Sequence, residues 1–337
     1  MNSPLRRVAR HLAPIAAWFL FNAVNAAELR IGIIGTDTSH VPNFARTFND
    51  PKYPGHIKGA RVTCAFKGGS PDIESSRTRV DKFAEEISSK YGVKIVPTIK
   101  ELAEQVDAIM IESVDGRPHL EQAKAVFSYG KPVFIDKPIA GTLRDTLELI
   151  QLARELKVPL FSSSSLRFKP TLDKLKKAPF GEIRGAISTG PCSKEEHHPD
   201  LFWYGIHPTE ALYAVMGQGC ESVVRTATEN TDVVTGTWTG GRVGILYGIR
   251  NAAAPYRVTV LGTKSVIDQE AEGRGTGAYD GLAQEIFKFF QTKVAPVSLD
   301  ETLEIFAFME AADESKRRGG ATVKLSEVLA KNSPRRK

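Results

Sequence analysis

From residue 28 to about 162 the chain alternates two patterns. Short apolar runs at 29–34, 61–66, 94–96, 108–111, 133–135 and 160–161 read as buried strands. Between them, near 40–49, 75–91, 99–105, 118–129 and 142–157, apolar positions recur at helical spacing. Such alternation predicts an α/β fold with a doubly wound parallel sheet and right-handed crossovers. Ligands of these sheets sit beyond the carboxyl ends of the strands, here 35–40, 66–72, 112–119, 136–138 and 162–168.

After about residue 170 the rhythm changes. "TDVVTGTWTGGRVGILYGIR" holds two β-rich runs around Gly240 and Gly241, a hairpin signal. "YRVTVLGTKSVIDQ" predicts a second strand pair turning near Gly262 and Thr263. "SLDETLEIFAFMEAADESKRRGG" is a helix opened by a capping box, Ser298 with Glu301, and closed before Gly319. The second domain is thus expected to carry a mostly antiparallel sheet with helices. The predicted boundaries are 1–26 for a leader, 27–165 for a dinucleotide-binding domain, 166–325 for a substrate and oligomerisation domain, and 326–337 for a basic tail.

The 337 residues, 25% charged and 42% hydrophobic, suffice for two cores of an ordinary globular protein. Residues 1–26 read as an export signal to the periplasm: Arg6, Arg7 and Arg10 precede an apolar run from 12 to 24, and Val24-Asn25-Ala26 offers a cleavage site. The run is shorter than the roughly 20 residues that span a bilayer, so no stable membrane anchor is expected. The Arg6-Arg7 pair is compatible with twin-arginine export of a folded chain. Cleavage takes the formal net charge from +6 to +3. The remaining basic clusters, "SPRRK" and "SKRRGG", suit a tail and a helix end, so no nucleic-acid partner is implied. Cys64, Cys192 and Cys220 are too few for a disulfide framework, and one Cys192–Cys220 bridge stays open.

Candidate chemistry lies at the strand ends. "IGIIGTDTSH" resembles a phosphate-binding G-x-G-x-x-G turn with Gly35 in the first place, but Asp37 and His40 stand at the second and third. The following helix N-terminus still favours an anion. Thr36 and Thr38 offer hydroxyls, and Ser39 and Asp37 are candidate caps. In "CAFKGGSPD", Lys67 replaces the acid that would accept ribose hydroxyls. With Arg77 and Arg79 nearby it favours NADP over NAD. "PVFIDKPIAGT" delivers Asp136 and Lys137, a lysine placed to shuttle a proton. "FWYGIHPTEALYAVMG" sets His207 at a helix start as proton donor or substrate partner. His197, His198, Asp200 and His207 fit no regular metal spacing, so no metal is expected. "LFSSSSLRFKP" offers the 162–165 serines, Ser165 last, and Arg167 to a polyhydroxy or carboxylated substrate.

From residue 28 to about 325 the chain resembles the Gfo/Idh/MocA family. "VDAIMIESVDGRPHLEQAKAVFSYGKPVFIDKP" is similar to the family run ending in its E-K-P motif, "SSLRFKP" to its arginine-phenylalanine segment, and "GIHPTEALYAVMG" to its G-x-H-x-x-D helix. The resemblance implies an N-terminal Rossmann domain, a C-terminal sheet domain with oligomer contacts, and NAD or NADP between them. It also implies a small carbohydrate-like substrate and a homo-oligomer. Lys137 matches the catalytic lysine and His207 the catalytic histidine. Ser113 and His119 match the nicotinamide side. Four departures stand out: the altered glycine turn, Asp136 for glutamate, Lys67 for the ribose acid, and Trp203 where the family has a catalytic aspartate. Glu210, also a candidate substrate ligand, or Asp200 would then orient His207. Besides the oxidoreductase, the sequence leaves open a non-catalytic carbohydrate-binding scaffold and an NAD-dependent glycoside hydrolase.

Overall fold

The computed structural model describes residues 27–270 and 277–333. The expected export signal lies outside these residues. The first sheet is built from β1 (Leu29–Ile34), β2 (Ala60–Phe66), β3 (Lys94–Ile95), β4 (Ala108–Ile111), β5 (Val133–Asp136) and β6 (Leu160–Ser163), all parallel, in the order β3-β2-β1-β4-β5-β6. The order reverses direction between β1 and β4, which opens a crevice at their carboxyl ends. Helices α1 (His40–Asn49), α2 (Glu74–Arg77), α3 (Val80–Tyr91), α4 (Ile99–Gln105), α5 (His119–Phe127) and α6 (Leu143–Glu155) connect the strands. The one helix expected over 75–91 is two. Thr78 donates its hydroxyl to the Glu74 carbonyl at the break, a side-chain bond that competes with continued helix. Thr98 and Thr142 cap α4 and α6 by accepting from the Glu101 and Asp145 N–H groups.

The second unit begins with α7 (Pro170–Lys176). It then runs through β7 (Ile183–Pro191), α8 (Ile206–Met216), β8 (Cys220–Ala227), β9 (Thr231–Trp238), β10 (Arg242–Ile249), β11 (Arg257–Gly262) and β12 (Val266–Glu270). It closes with α9 (Asp280–Thr292), α10 (Leu299–Arg317), β13 (Val323–Lys324) and α11 (Leu325–Asn332). Its sheet, β12-β11-β7-β10-β9-β8-β13, is antiparallel except where β7 pairs with β10. Both expected hairpins are present, with Trp238 opposite Arg242 and Leu261 opposite Val266. Trp238, Tyr213 and Phe308 pack ring on ring under the sheet. Val224, Val243, Tyr247, Leu261 and Val266 stay exposed.

Three expectations change. Helix α9 lies within the range expected for the second domain, yet Leu282, Ile286 and Phe289 join Ile31, Phe44 and Phe161 in the core of the first sheet. That sheet needs cover on its second face, and α9 returns to supply it. The basic tail expected from 326 starts as helix, because Leu325 and Val328 are buried. Finally, all three cysteines are free and buried, so the Cys192–Cys220 bridge does not form. Burial pushes the Cys192 thiol up to about 12. Among the described residues no helix is long and apolar enough to cross a membrane.

Candidate active site

A cavity of about 280 Å³ opens where the two units meet. Thr38, Ser39 and His40 at the start of α1 form one wall, Lys137 just after β5 another, and Ser165, Trp203, Tyr204 and His207 the far side. Tyr256 and Tyr279 complete it, with Arg79 at the rim. Lys137, His207, Ser165, Thr38, Ser39 and His40, all site candidates from sequence, meet at this one cavity. The tyrosines were not among those candidates. Tyr279 arrives from the far end of the chain only because α9 folds back onto the first sheet. Burial lifts its pKa to about 12, and its ring lies 4.3 Å from that of His40.

His207 is oriented by neither Glu210 nor Asp200. Its Nδ1 lies 2.8 Å from Ser164 Oγ, which already accepts from the Leu166 N–H. Donation from that hydroxyl to Nδ1 corresponds to the tautomer with the imidazole proton on Nε2. Burial and the nearby Lys137 charge hold the His207 pKa well below its usual value, so the ring is neutral near pH 7. Trp203, where the family aspartate was expected, stacks 5.0 Å from the His198 ring instead. Lys137 Nζ sits 6.0 Å from the centroid of Tyr204.

Several expected ligand residues are engaged elsewhere. Arg167 and Glu210, assigned to substrate, are bonded to each other at 2.8 Å, and Glu301 holds the guanidinium from its other side at 2.7 Å. Half of the predicted capping box is therefore diverted: Ser298 accepts from Glu301 N–H, but the Glu301 carboxylate serves Arg167. Asp200 pairs with Arg225 and Lys316. His119 and Ser113 do not line the cavity. Both His119 ring nitrogens meet carbonyls, of Pro138 and Ser113, and the Ser113 hydroxyl meets Gln122. His119 thus staples the turn after β5 to the loop after β4, while burial pulls its pKa down.

The turn 35–38 is covered by the segment after β2. Gly35, at φ +89°, lies so close to β4 that a Cβ would sit 2.5 Å from Ser113 N. A Cβ on Gly68 would come within 3.4 Å of the Gly35 Cα. Thr36, expected to meet phosphate, donates its hydroxyl to the Val80 carbonyl. Asp37 is fully buried and caps no helix: it accepts from Ser76 Oγ at 2.6 Å and from Val114 N–H at 2.9 Å. Burial raises its pKa. Ser70 donates to Asp115 at 2.5 Å, and Arg117 bridges Asp115 to Asp72, so residues 70–76 are tied down at three points. Lys67 is paired with Asp81 rather than free, and Arg77 is exposed on α2. Ser39 stands at the N-cap of α1 without a side-chain bond to it; the N–H groups of His40 and Val41 go to the Thr38 hydroxyl and carbonyl, and Pro42 has none.

Glu112, not singled out from sequence, follows β4 and is wholly buried with neither carboxylate oxygen hydrogen-bonded. Burial and the Asp136 charge push its pKa well up. Asp136 lies 2.9 Å from His40 Nδ1; burial would lift its pKa, but His40 and Lys137 draw it below the usual range. One signal was legible: an acid directly after the wholly apolar strand "AIMI", in the ligand crevice.

These features define a class, an oxidoreductase domain of NAD-binding Rossmann type. The model of the Gfo/Idh/MocA oxidoreductase family, NAD-binding Rossmann fold, matches residues 29–164. An uncharacterized oxidoreductase of Streptococcus pneumoniae serotype 4 is 24% identical over 160 residues, 42% of this chain and 43% of that protein. The chain thus spans less than half the length of that relative. In structure it is similar to myo-inositol 2-dehydrogenase from Lactobacillus plantarum, at TM-score 0.71 and 17% identity over 88% of this chain and 99% of that one. It is also similar to scyllo-inositol dehydrogenase from Lactobacillus casei with bound NAD(H) and scyllo-inositol, at TM-score 0.70 and 16% identity over 88% and 99%. These two likenesses show the fold.

The residues at the reactive end fit a nicotinamide. Lys137 and His207 face a cavity of ring size, with the α1 start in its wall. At the phosphate end the segment 68–76 lies over the turn at 35–37, while Thr38 and Ser39 open to the cavity.

Proposed function

We propose that this protein is an NAD(P)-dependent oxidoreductase acting on a carbinol carbon of a sugar, cyclitol or related polyhydroxy compound. The observation that carries this reading is the meeting of Lys137 and His207, from opposite units, across one cavity with a helix N-terminus in its wall. When bound, the nicotinamide ring supplies hydride acceptance or donation. Lys137 Nζ moves the hydroxyl proton of the substrate. His207, neutral, donates from Nε2 to a substrate oxygen and fixes its orientation. Ser165 and the tyrosine hydroxyls hold further substrate oxygens, and the apolar rings limit water. Lys67 in place of an acid supports NADP ahead of NAD, although Lys67 must first leave Asp81.

Two accompanying readings belong to the same proposal. Residues 1–26 direct the chain to the periplasm, which N-terminal sequencing of the exported protein tests. The exposed row Val224, Val243, Tyr247, Leu261 and Val266 supports a homo-oligomer, which sedimentation measures.

The deciding experiment denatures the mature protein, assays released NAD, NADP and reduced forms, and then follows NAD(P)H absorbance with a panel of polyols. Nucleotide binding with substrate-dependent reduction, lost in Lys137→Ala, is expected. Failure to bind either nucleotide would overturn the reading and leave a carbohydrate-binding scaffold. Glycoside cleavage without net change in NAD(P)H would favour a hydrolase.

A further inference from the structure

The order β1-β4-β5 sets three strand ends side by side, and each delivers a buried group. His40 opens α1 after β1, Glu112 follows β4, and Asp136 ends β5. They are 7%, 0% and 1% exposed. One ligand atom from each lies within 4.8 Å of the others. His40 Nδ1 and Asp136 Oδ2 are 2.9 Å apart but out of line for a hydrogen bond. His40 Nδ1, both Glu112 oxygens and both Asp136 oxygens therefore lack any hydrogen-bond partner.

Buried carboxylates are retained only when paired, protonated or bound to a cation. A proton on Glu112 would remove its charge but would add a single donor for five unpartnered atoms. A cation bonds at least one atom of each residue at once and balances the charge of two carboxylates. Ligand atoms about 2.1 Å from an ion lie roughly 3.0–3.4 Å apart at neighbouring octahedral or tetrahedral positions, so a cluster within 4.8 Å closes on the ion by side-chain shifts of about 1–2 Å.

We propose that His40, Glu112 and Asp136 bind one divalent transition-metal ion. An imidazole with two carboxylates suits ions of intermediate hardness, Zn²⁺ or Mn²⁺, rather than Ca²⁺. Three protein ligands are the number found in sites that keep a position open, unlike closed structural sites. His40 also lines the cavity beside Lys137, so the ion sits at the cavity wall, within reach of a substrate oxygen. This site was not expected from sequence, where the histidines weighed for metal were 197, 198 and 207. The proposal stands apart from the hydride reading, because metal content is measured without turnover.

The test uses the mature full chain, purified without chelators, with metal per chain counted by mass spectrometry. The protein is then stripped with EDTA and titrated with ZnCl₂ and MnCl₂, following heat of binding and melting temperature. About one ion per chain and a rise in melting temperature on reloading are expected. Losing a direct ligand in Glu112→Gln or His40→Gln should weaken binding by roughly 100-fold or more, at least the upper range for outer partners. His197→Gln, part-buried and outside the cluster, should leave metal affinity unchanged. A metal-free protein whose melting temperature and heats ignore millimolar Zn²⁺ and Mn²⁺ would overturn the proposal, and this wild-type result holds even if a variant misfolds. Full affinity retained in both variants, or loss of the ion in His197→Gln, would overturn it too.

Discussion

Removing the Ser76 hydroxyl should loosen the cover over the phosphate turn and change two measurable quantities in opposite directions. Ser76 Oγ donates to Asp37 Oδ2 at 2.6 Å and accepts from Ser70 N–H at 2.7 Å, and all three residues are buried. Ser76→Ala leaves a buried carboxylate oxygen and a buried N–H without partners. Unsatisfied buried groups cost about 1–3 kcal/mol each, and protonation of Asp37, already favoured by burial, offsets part, so about 2–3 kcal/mol is lost from the covered state. Overall stability should fall by a similar amount, about 4–12 °C in melting temperature at the scale for large domains. If nucleotide binds only with 68–76 lifted, the same loss raises the open fraction and tightens apparent Kd by roughly 30–150-fold, until the open state predominates. Calorimetric titration with NAD and NADP beside a thermal melt reads both numbers. Thr78→Ala, an exposed hydroxyl bonded to Glu74, is the control and should move stability by no more than about 0.5 kcal/mol. A variant that melts lower but binds nucleotide no more tightly would refute the covering role of 68–76.

Three further outcomes follow from the site. Arg167→Ala strands Glu210 and Glu301 and should cost about 3–5 kcal/mol of stability, seen by denaturant unfolding; a rise in KM with unchanged stability would return Arg167 to the substrate. Ser164→Ala frees His207 Nδ1, and losing that bond at about 1–3 kcal/mol should lower kcat roughly 5- to 150-fold with little change in KM. His207 has a folded-state pKa depressed below 6.5, so the unfolded chain binds the extra proton and stability falls as pH drops below 6.5. His207→Gln should flatten that part of the stability profile. An unchanged slope would show that the ring is already protonated in the folded state.

The parallel sheet was legible from the residue pattern alone. Its strands are buried on both faces, so each is a continuous apolar run between helical stretches, and the period of the pattern carries the fold without long-range information. The strand-end rule then located Lys137, Asp136 and His40 in the crevice, because parallel topology sends every carboxyl end to the same edge. Hairpins at Gly240 and Gly262 were equally legible, since turn chemistry is local. Partnership was not legible. A serine, arginine or threonine beside a crevice reads as a ligand for substrate whether it faces the cavity, as Ser165 does, or is consumed inside, as Arg167 is by Glu210 and Glu301. Tertiary structure decided that Asp37 bonds Ser76 and Val114 rather than capping α1, that Ser164 orients His207, and that α9 brings Tyr279 to the site. Each choice pairs residues tens to hundreds of positions apart. Burial makes an unpaired polar group costly, and only the folded chain shows which partners lie near enough to satisfy it.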